Sequence, residues 1–141
     1  MSASQGFYTD AALTSVLSAN LQAEQQSDGS SGMQKFRLYI GNPDSGLKIE
    51  TTTNPGVDQV SLTVEDVLPA SGHEATEVVL ALSELGLASA TPGAALDLGT
   101  VINGGVGNAV EVWIGVTDAT GTIGQDLSLT VELNDCELKA I

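Results

Sequence analysis

Residues 110–133 of this chain read VEVWIGVTDATGTIGQDLSLTVEL and carry its clearest strand pattern. Apolar residues stand at every second position on both sides of its central turn: Val110, Val112, Ile114 and Val116 before it, and Leu127, Leu129, Val131 and Leu133 after it. A two-residue period is what a β-strand with one buried face requires. Because a Gly-containing loop at residues 118–121 separates the two runs, the pattern predicts two strands joined as a hairpin.

The same kind of pattern recurs at short intervals through the rest of the chain. It predicts strands at residues 35–40, 47–53, 60–65 and 77–82, and a shorter strand that begins at Leu96. Segments rich in Gly, Pro and Asn separate these runs, and such residues tolerate or fix the dihedral angles of turns. About seven short strands with little helix predict an all-β protein built as an antiparallel β-sandwich, with a jelly roll or a small barrel as alternatives.

Two features of the predicted strands differ from the pattern of a strand with one buried and one solvent-exposed face. The run at residues 77–82 is apolar on both faces, which is typical of a central strand or of one whose outer face meets another subunit. Trp113 falls on the polar face of its strand, opposite Val112 and Ile114. A tryptophan in this position either packs within its own chain or contacts a partner, since aromatic residues are enriched at the centres of interfaces.

Residues 1–34 differ in composition from the rest and predict an N-terminal arm or linker ahead of a β-sandwich domain at residues 35–141. The Ser/Gly/Gln tract at residues 25–32 buries too little apolar surface to offset the entropy of ordering, so we expect a linker there. Ahead of it, apolar residues recur with helical spacing behind a candidate N-cap at Asp10, namely Leu13, Val16, Leu17 and Leu21. The segment is either a short helix on its own domain or an arm, including Phe7 and Tyr8, docked on a neighbouring subunit.

The charge of the chain excludes several classes of partner. It has 18 acidic and 4 basic residues and a formal net charge of -14. Such a surface repels phosphate backbones and anionic lipids, so we expect neither nucleic acid nor a membrane as a partner. The start of the chain lacks the basic and apolar regions of a secretory signal, and no run approaches the length of a membrane span. The sequence therefore predicts a protein made in the cytoplasm without a signal peptide.

Residues suited to catalysis are few and lack the motifs that would organise them. His73 is the only histidine and lies near Glu74 and Glu77. A histidine among acids in a loop is usually solvated, and no nucleophile elbow or phosphate-binding loop accompanies it. Cys136 is the only cysteine, which excludes an intrachain disulfide and a cysteine-rich zinc site. We therefore expect that the protein is not an enzyme and that it has no catalytic residues and no cofactor.

Oxygen-bearing side chains cluster in three segments with turn composition. They are Asn42, Asp44 and Ser45; Asp118, Thr120 and Asp126; and Asp28 with Ser30. Calcium needs six to eight oxygens at one point, and none of these clusters has EF-hand spacing. Asp and Asn are also the ordinary residues of turns. The sequence therefore predicts no metal site, and Asp44, Asp118 and Asp126 are the residues to examine for calcium.

Residues 107–131 resemble the closing hairpin of immunoglobulin-like virion proteins of tailed bacteriophages. Family members carry a similar VWV-x-VTD-x-TG strand and turn followed by a D-L-x-L-x-V strand; here the corresponding residues read VWIGVTDATG from Val112 and DLSLTV from Asp126. The acidic, cysteine-poor, Gly- and Thr-rich composition is also similar, with a looser likeness over residues 35–106. The Cys, Trp, Cys pattern of antibody domains is missing.

The resemblance implies an immunoglobulin-like sandwich and a structural role in the virion, such as a capsid decoration or cement protein or an accessory subunit of the head or tail. The expected partners are the major capsid protein or another virion protein and further copies of the chain, with a trimer as one unit. The expected interface residues are Phe7, Tyr8, Leu13, Leu17, Leu21 and Trp113. The alternatives are a tail or head-fibre subunit and a carbohydrate- or receptor-binding module.

Overall fold

The computed structural model describes residues 6–17, 32–70, 74–117 and 129–141. These residues form ten β-strands and three short 3-10 turns, and seven of the strands have four residues or more. In chain order the strands are β1 (Phe7–Tyr8), β2 (Gln34–Ile40), β3 (Leu47–Thr51), β4 (Ser61–Asp66), β5 (Val78–Ala81), β6 (Leu96–Asp97), β7 (Ile102–Asn103), β8 (Val110–Val116), β9 (Leu129–Leu133) and β10 (Cys136–Ala140). The 3-10 turns lie at Ala75–Glu77, Leu85–Ala88 and Val106–Asn108.

The strands form three sheets in which every pair is antiparallel. Sheet A has the order β1-β2-β8-β5, sheet B the order β10-β3-β7, and sheet C the order β6-β4-β9. Each sheet ends in two different strands, so over the described residues none of them closes into a barrel. The predicted all-β, antiparallel architecture is confirmed, and the three sheets fit a β-sandwich, whereas the immunoglobulin-like topology stays a prediction.

Inward-facing side chains of all three sheets meet in one hydrophobic core. The largest fully buried side chains in it are Ile40, Ile49, Leu62, Ile114, Val60 and Val112. They lie on strands of all three sheets, except for Val60, which immediately precedes β4. Burying one aliphatic side chain of this size contributes roughly 1.5–3 kcal/mol. Burial of these inward-facing side chains therefore stabilises the packing of the three sheets.

The two strands of residues 110–133 do not pair with each other, so the predicted hairpin is wrong. β8 pairs along its whole length with β2 and on its other side with β5, whereas β9 lies in sheet C and pairs with β4. Both edges of β8 are thus occupied by other strands. Alternation identifies the buried face of each strand, but it carries no information on the partner strand.

The apolar run at residues 77–82 becomes β5, which is an end strand of sheet A rather than a central one. All four residues of β5 are nevertheless buried. Its inward side chains join the core, whereas its outward side chains, Val79 and Ala81, pack against Leu87 of the following 3-10 turn. The run is apolar on both faces because the chain covers the outer face of β5 with its own residues.

The N-terminal residues fold back on sheet A as a small hairpin, which we call the N-terminal hairpin (residues 6–17). Phe7 and Tyr8 pair with the end of β2, opposite Ile40 and Tyr39. The chain then doubles back, and Tyr8 forms a bridge with Val16 on its other side. This segment belongs to the same folded unit as the strands that follow it.

Residues 10–17 do not form the predicted helix. The carboxylate of Asp10 accepts hydrogen bonds from the backbone N–H groups of Thr14, at 3.0 Å, and Ser15, at 2.9 Å. The Thr14 hydroxyl donates to the same carboxylate. Leu13 lies at a φ of 54°, in the left-handed region, which interrupts a right-handed helix. Asp10 closes a turn here instead of capping a helix. Leu21 lies outside the described residues.

Candidate contact surface

A cluster of aromatic and charged side chains covers the outer face of sheet A. Strand alternation directs Lys35, Arg37 and Tyr39 of β2, and Glu111 and Trp113 of β8, away from the core. The register places Arg37 opposite Trp113 and Tyr39 opposite Glu111, and directly opposed side chains on antiparallel strands are close enough to interact. We call these five residues the aromatic face.

Arg37 lies between the two rings of the aromatic face. Its guanidinium carbon is 5.6 Å from the centre of the Tyr39 ring and 5.7 Å from the centre of the Trp113 ring. Oε1 of Glu111 accepts a hydrogen bond from Nε1 of Trp113 at 3.1 Å and lies 3.8 Å from a guanidinium nitrogen of Arg37. A cation–π contact at an exposed site contributes about 0.5–1 kcal/mol. These contacts therefore order the face more than they stabilise the fold.

Trp113 rests on a second, smaller apolar cluster that lies outside the main core. The cluster consists of Val79, Ala81 and Leu87, with Met33, Ala90 and Trp113 packed against it. Gly115 leaves room for this packing, because a Cβ atom there would lie 2.6 Å from Sδ of Met33 and 2.8 Å from Cγ2 of Val79. Trp113 is half-buried. It thus packs within its own chain and still presents part of its ring to solvent.

Exposed leucines border the aromatic face near the end of β5. Nζ of Lys35 lies 3.4 Å from Oε1 of Glu84. The next residue, Leu85, is 90% exposed, and Leu82 is 53% exposed. Lys35 and Arg37 each have an acidic neighbour, Glu84 and Glu111, so the local charge is balanced although the whole chain carries -14. A partner that docks here meets apolar and aromatic surface with little net charge.

A second ionic cluster lies on the outer face of sheet B, and no sequence pattern indicates it. The side chain of Glu50 is 6% exposed, and its carboxylate oxygens lie 2.7 Å from Nζ of Lys48 and 3.8 Å from Nζ of Lys139. Lys139 also lies 3.0 Å from Glu137. The register of β3 and β10 sets the two lysines opposite each other, which offsets the cost of burying the Glu50 carboxylate. Because Glu50 is buried, this cluster serves the fold rather than a partner.

The predicted interface residues of the arm lie mostly inside the chain's own core. Phe7 is 3% exposed, Tyr8 7% and Leu13 3%. Leu17 is half-buried and packs against the same core. Leu21 lies outside the described residues. Of the predicted interface residues that the structure describes, Trp113 and Tyr8 lie on the outward face of sheet A, but Tyr8 is itself covered. Phe7, Tyr8 and Leu13 are therefore accessible to another molecule only if the hairpin leaves this position.

The calcium candidate Asp44 serves the turn between β2 and β3. Its carboxylate accepts a hydrogen bond from the Gly46 N–H at 2.8 Å, and its own N–H donates to the Asn42 side chain at 2.9 Å. These are the local hydrogen bonds that Asn and Asp typically make in turns. No group of three or more metal-binding side chains occurs among the described residues. The other candidates, Asp118 and Asp126, and also His73, lie outside them.

The thiol of Cys136 lies in an environment that suppresses its reactivity. The residue is 8% exposed, and Sγ lies 3.2 Å from Oδ1 of Asn134. Burial, with a smaller contribution from the negative charge of Asp135, raises the pKa of the thiol to about 11. Because the thiolate is the nucleophilic form, Cys136 is poorly suited to nucleophilic catalysis at neutral pH.

Comparison of the chain with protein-family models, curated proteins and solved structures finds no match. In the part of the chain that the structure describes, no helix is long and apolar enough to cross a membrane.

Proposed function

We propose that this chain is a non-enzymatic virion structural protein, and specifically a capsid decoration or cement protein that binds the outside of a tailed-bacteriophage head. Its partner is then the major capsid protein or another virion protein, and its copies form a homo-oligomer such as a trimer. The observation that carries the proposal is the aromatic face, where Arg37 lies between Tyr39 and Trp113 on an outward sheet surface. The sequence likeness of residues 107–131 to virion proteins supports the location.

The composition of the aromatic face supports a role in protein contact. Trp, Tyr and Arg are the residues most enriched among those that dominate binding energy in interfaces. Here Arg37 contacts both rings, and Glu111 contacts Arg37 and Trp113, so these side chains are already ordered and lose little entropy when a partner covers them. The nearby Leu82 and Leu85 extend the apolar surface at its border.

The distribution of charge supports contact through this face rather than through the outer face of sheet C. The outer face of sheet C carries Glu65 on β4 and Glu132 on β9, with Thr63 and Thr130 between them. No basic residue lies on either strand. The aromatic face, by contrast, has matched acidic and basic residues. Because the chain as a whole carries -14, an acidic partner surface is repelled less by the aromatic face than by the outer face of sheet C.

The test is binding of the purified chain to heads of the virus that encodes it, measured by co-sedimentation. We expect Arg37→Ala to weaken binding at least about tenfold, which corresponds to the loss of roughly 1.4 kcal/mol or more of binding free energy. The Tm should be nearly unchanged, because the Arg37 side chain is half-exposed. Lys139→Gln is the matched control, since it removes one positive charge from sheet B and leaves an amide that can still donate to the neighbouring carboxylates. Equal binding by both variants would reject the aromatic face, and particles without the chain would reject the virion role.

The two alternatives give different results in related experiments. Antibody labelling of intact particles distinguishes a head protein from a tail or head-fibre subunit. The carbohydrate-binding alternative has one favourable observation, because Tyr39 and Trp113 share an outward face with a charged group between them, and aromatic faces can stack on sugar rings. Glycan-array binding that Trp113→Ala abolishes would favour that alternative over attachment to the head.

A further inference from the structure

The N-terminal hairpin is closed by its own hydrogen bonds. The Thr9 N–H donates to the Ser15 carbonyl at 2.9 Å, and the Leu17 N–H donates to the Phe7 carbonyl at 2.8 Å. The Asp10 carboxylate holds the turn between these two pairs. These bonds all join residues within the segment, so none of them is lost when the segment docks at an identical site on another copy.

The docking site of the hairpin is the edge of sheet A and the core beneath it. β1 contributes two residues to the sheet and pairs with β2 alone among the named strands. Phe7 belongs to the main core, and Leu13 lies over Gly41, where a Cβ atom would come within 3.3 Å of Cδ1 of Leu13. Two apolar anchors and a two-residue strand thus fix the segment. The site is complementary to residues 6–17, whichever copy of the chain supplies them.

The connection between the hairpin and β2 is much longer than docking requires. Leu17 bonds to Phe7, which lies opposite Ile40, whereas β2 begins at Gln34. The connection must therefore run back along β2 from the position of Ile40 to that of Gln34, which is six residues or about 20 Å at roughly 3.3 Å per residue. An extended chain covers that distance with about six or seven residues. Residues 18–33 supply sixteen.

We propose that the N-terminal hairpin is exchanged between copies: residues 6–17 of one copy dock at the β2 edge of a second copy, with Phe7 and Leu13 as anchors. Each exchanged contact is identical to the one it replaces, so exchange costs little, and it becomes favourable where copies are held close together. The surplus length of residues 18–33 permits both arrangements. This inference does not depend on the virion role, since it follows from the hairpin and its docking site alone.

A mixed cross-linking experiment tests the exchange directly. One copy carries Tyr8→Cys and another carries Tyr39→Cys, both with Cys136→Ser. These two positions face each other across β1 and β2, and opposed residues in an antiparallel pair lie within the Cα separation that a disulfide accepts. We expect a disulfide between the two kinds of copy whose yield rises with protein concentration.

Two controls decide the interpretation of the cross-link. A single chain with both Tyr8→Cys and Tyr39→Cys must form an intrachain disulfide in dilute solution, which shows that the hairpin still docks. Thr130→Cys, exposed on the outer face of sheet C, replaces Tyr39→Cys in the second mixture. Equal yields in the two mixtures, or an intrachain disulfide without any mixed one at high concentration, would overturn the proposal.

Shortening the connection gives an independent test. Deletion of residues 19–31 leaves three residues between Leu17 and Gln34, which reach at most about 14 Å. The hairpin then cannot dock on its own chain, so we expect a dimer or a larger closed ring by light scattering, with Leu13→Asp in the same deletion returning it to a monomer. A folded monomer of the deletion variant with full thermal stability would contradict the exchange.

Discussion

Gly104 determines how two loops meet at one end of the molecule. Its N–H donates to the Leu47 carbonyl at 2.7 Å, next to the turn that follows β2. A Cβ atom at Gly104 would overlap the carbonyl oxygen of Asp44 and lie 2.6 Å from that of Leu47. Backbone atoms of a hydrogen-bonded turn cannot move aside as the end of a flexible side chain can. Asp44 and Leu47 are distant in sequence from Gly104, so the close approach follows only from the fold.

Gly104→Ala tests this close approach. We expect the free energy of unfolding to fall by about 1–3 kcal/mol, because the added methyl group forces a backbone shift. Chemical denaturation followed by circular dichroism measures the change. Gly107→Ala is the matched control, since a methyl group added there would have nothing within 4 Å, and we expect a change within roughly 0.5 kcal/mol. Equal effects of the two substitutions would contradict the close approach.

At the scale of elements, strand positions are easier to predict from the sequence than strand partners. The predicted runs at 35–40, 47–53, 60–65 and 77–82 overlap β2, β3, β4 and β5 within a few residues. The run from Leu96 towards residue 104 instead divides into β6 of sheet C and β7 of sheet B. Alternation reflects the local environment of each side chain, whereas pairing is a long-range choice among all the strands.

The turn of the N-terminal hairpin shows the same limitation. Asp10 precedes apolar residues with helical spacing, and the same carboxylate can cap a helix or close a turn. Packing decides between the two outcomes, because the extended pairing of Phe7 and Tyr8 with β2 places Phe7 in the core. A helix over residues 10–17 would lose the hydrogen bonds that join Ser15 to Thr9 and Leu17 to Phe7.

Acid should weaken this turn. The hydrogen bond from the Thr14 hydroxyl, with those from the Ser15 and Thr14 backbone, lowers the pKa of Asp10 below its ordinary value of 3.8. A lowered folded-state pKa means that the stabilisation is complete above the unfolded-state pKa and is lost as the pH falls through the folded-state pKa. The prediction is that the Thr14 and Ser15 amide signals shift with a midpoint below pH 3.8.

Nuclear magnetic resonance of the intact chain between about pH 6 and about pH 2 measures this midpoint, a range that brackets the titration of a carboxyl group. Asp10→Asn should remove the titration of both amide signals, because the side chain no longer gains a proton. A midpoint at or above 3.8 in the unmodified chain would show that the hydrogen bonds to Asp10 are absent in solution.

For the whole molecule, net charge is the dominant electrostatic property. All four basic residues lie near acids, at Lys35, Arg37, Lys48 and Lys139. Most of these pairs are exposed, and exposed ion pairs contribute little. The remaining acidic residues repel one another, which favours expanded states over the compact fold.

Added salt should therefore stabilise the protein. Raising sodium chloride from about 0.02 M to about 0.5 M shortens the screening length several-fold and weakens the repulsion. We expect the Tm to rise by roughly 4 °C, which corresponds to about 1 kcal/mol for a domain of this size. Potassium chloride should act equally, since screening depends on ionic strength. A fall in Tm with either salt would mean that the ion pairs, notably those of Glu50, outweigh the repulsion.

The alternation of apolar residues is sufficient to predict the fold class and which face of most strands is buried. A strand with one buried face needs an apolar residue at every second position, and this pattern is visible in the local sequence. It also identified Trp113 as an outward aromatic. The pairing of β8 with β2 and β5, the position of Arg37 between Tyr39 and Trp113, and the burial of Phe7 in the core are properties of the folded chain that no local pattern indicates. Such contacts join residues that are distant in sequence. They depend on which strands occupy the centre and the edges of each sheet, and a local sequence pattern does not determine that arrangement.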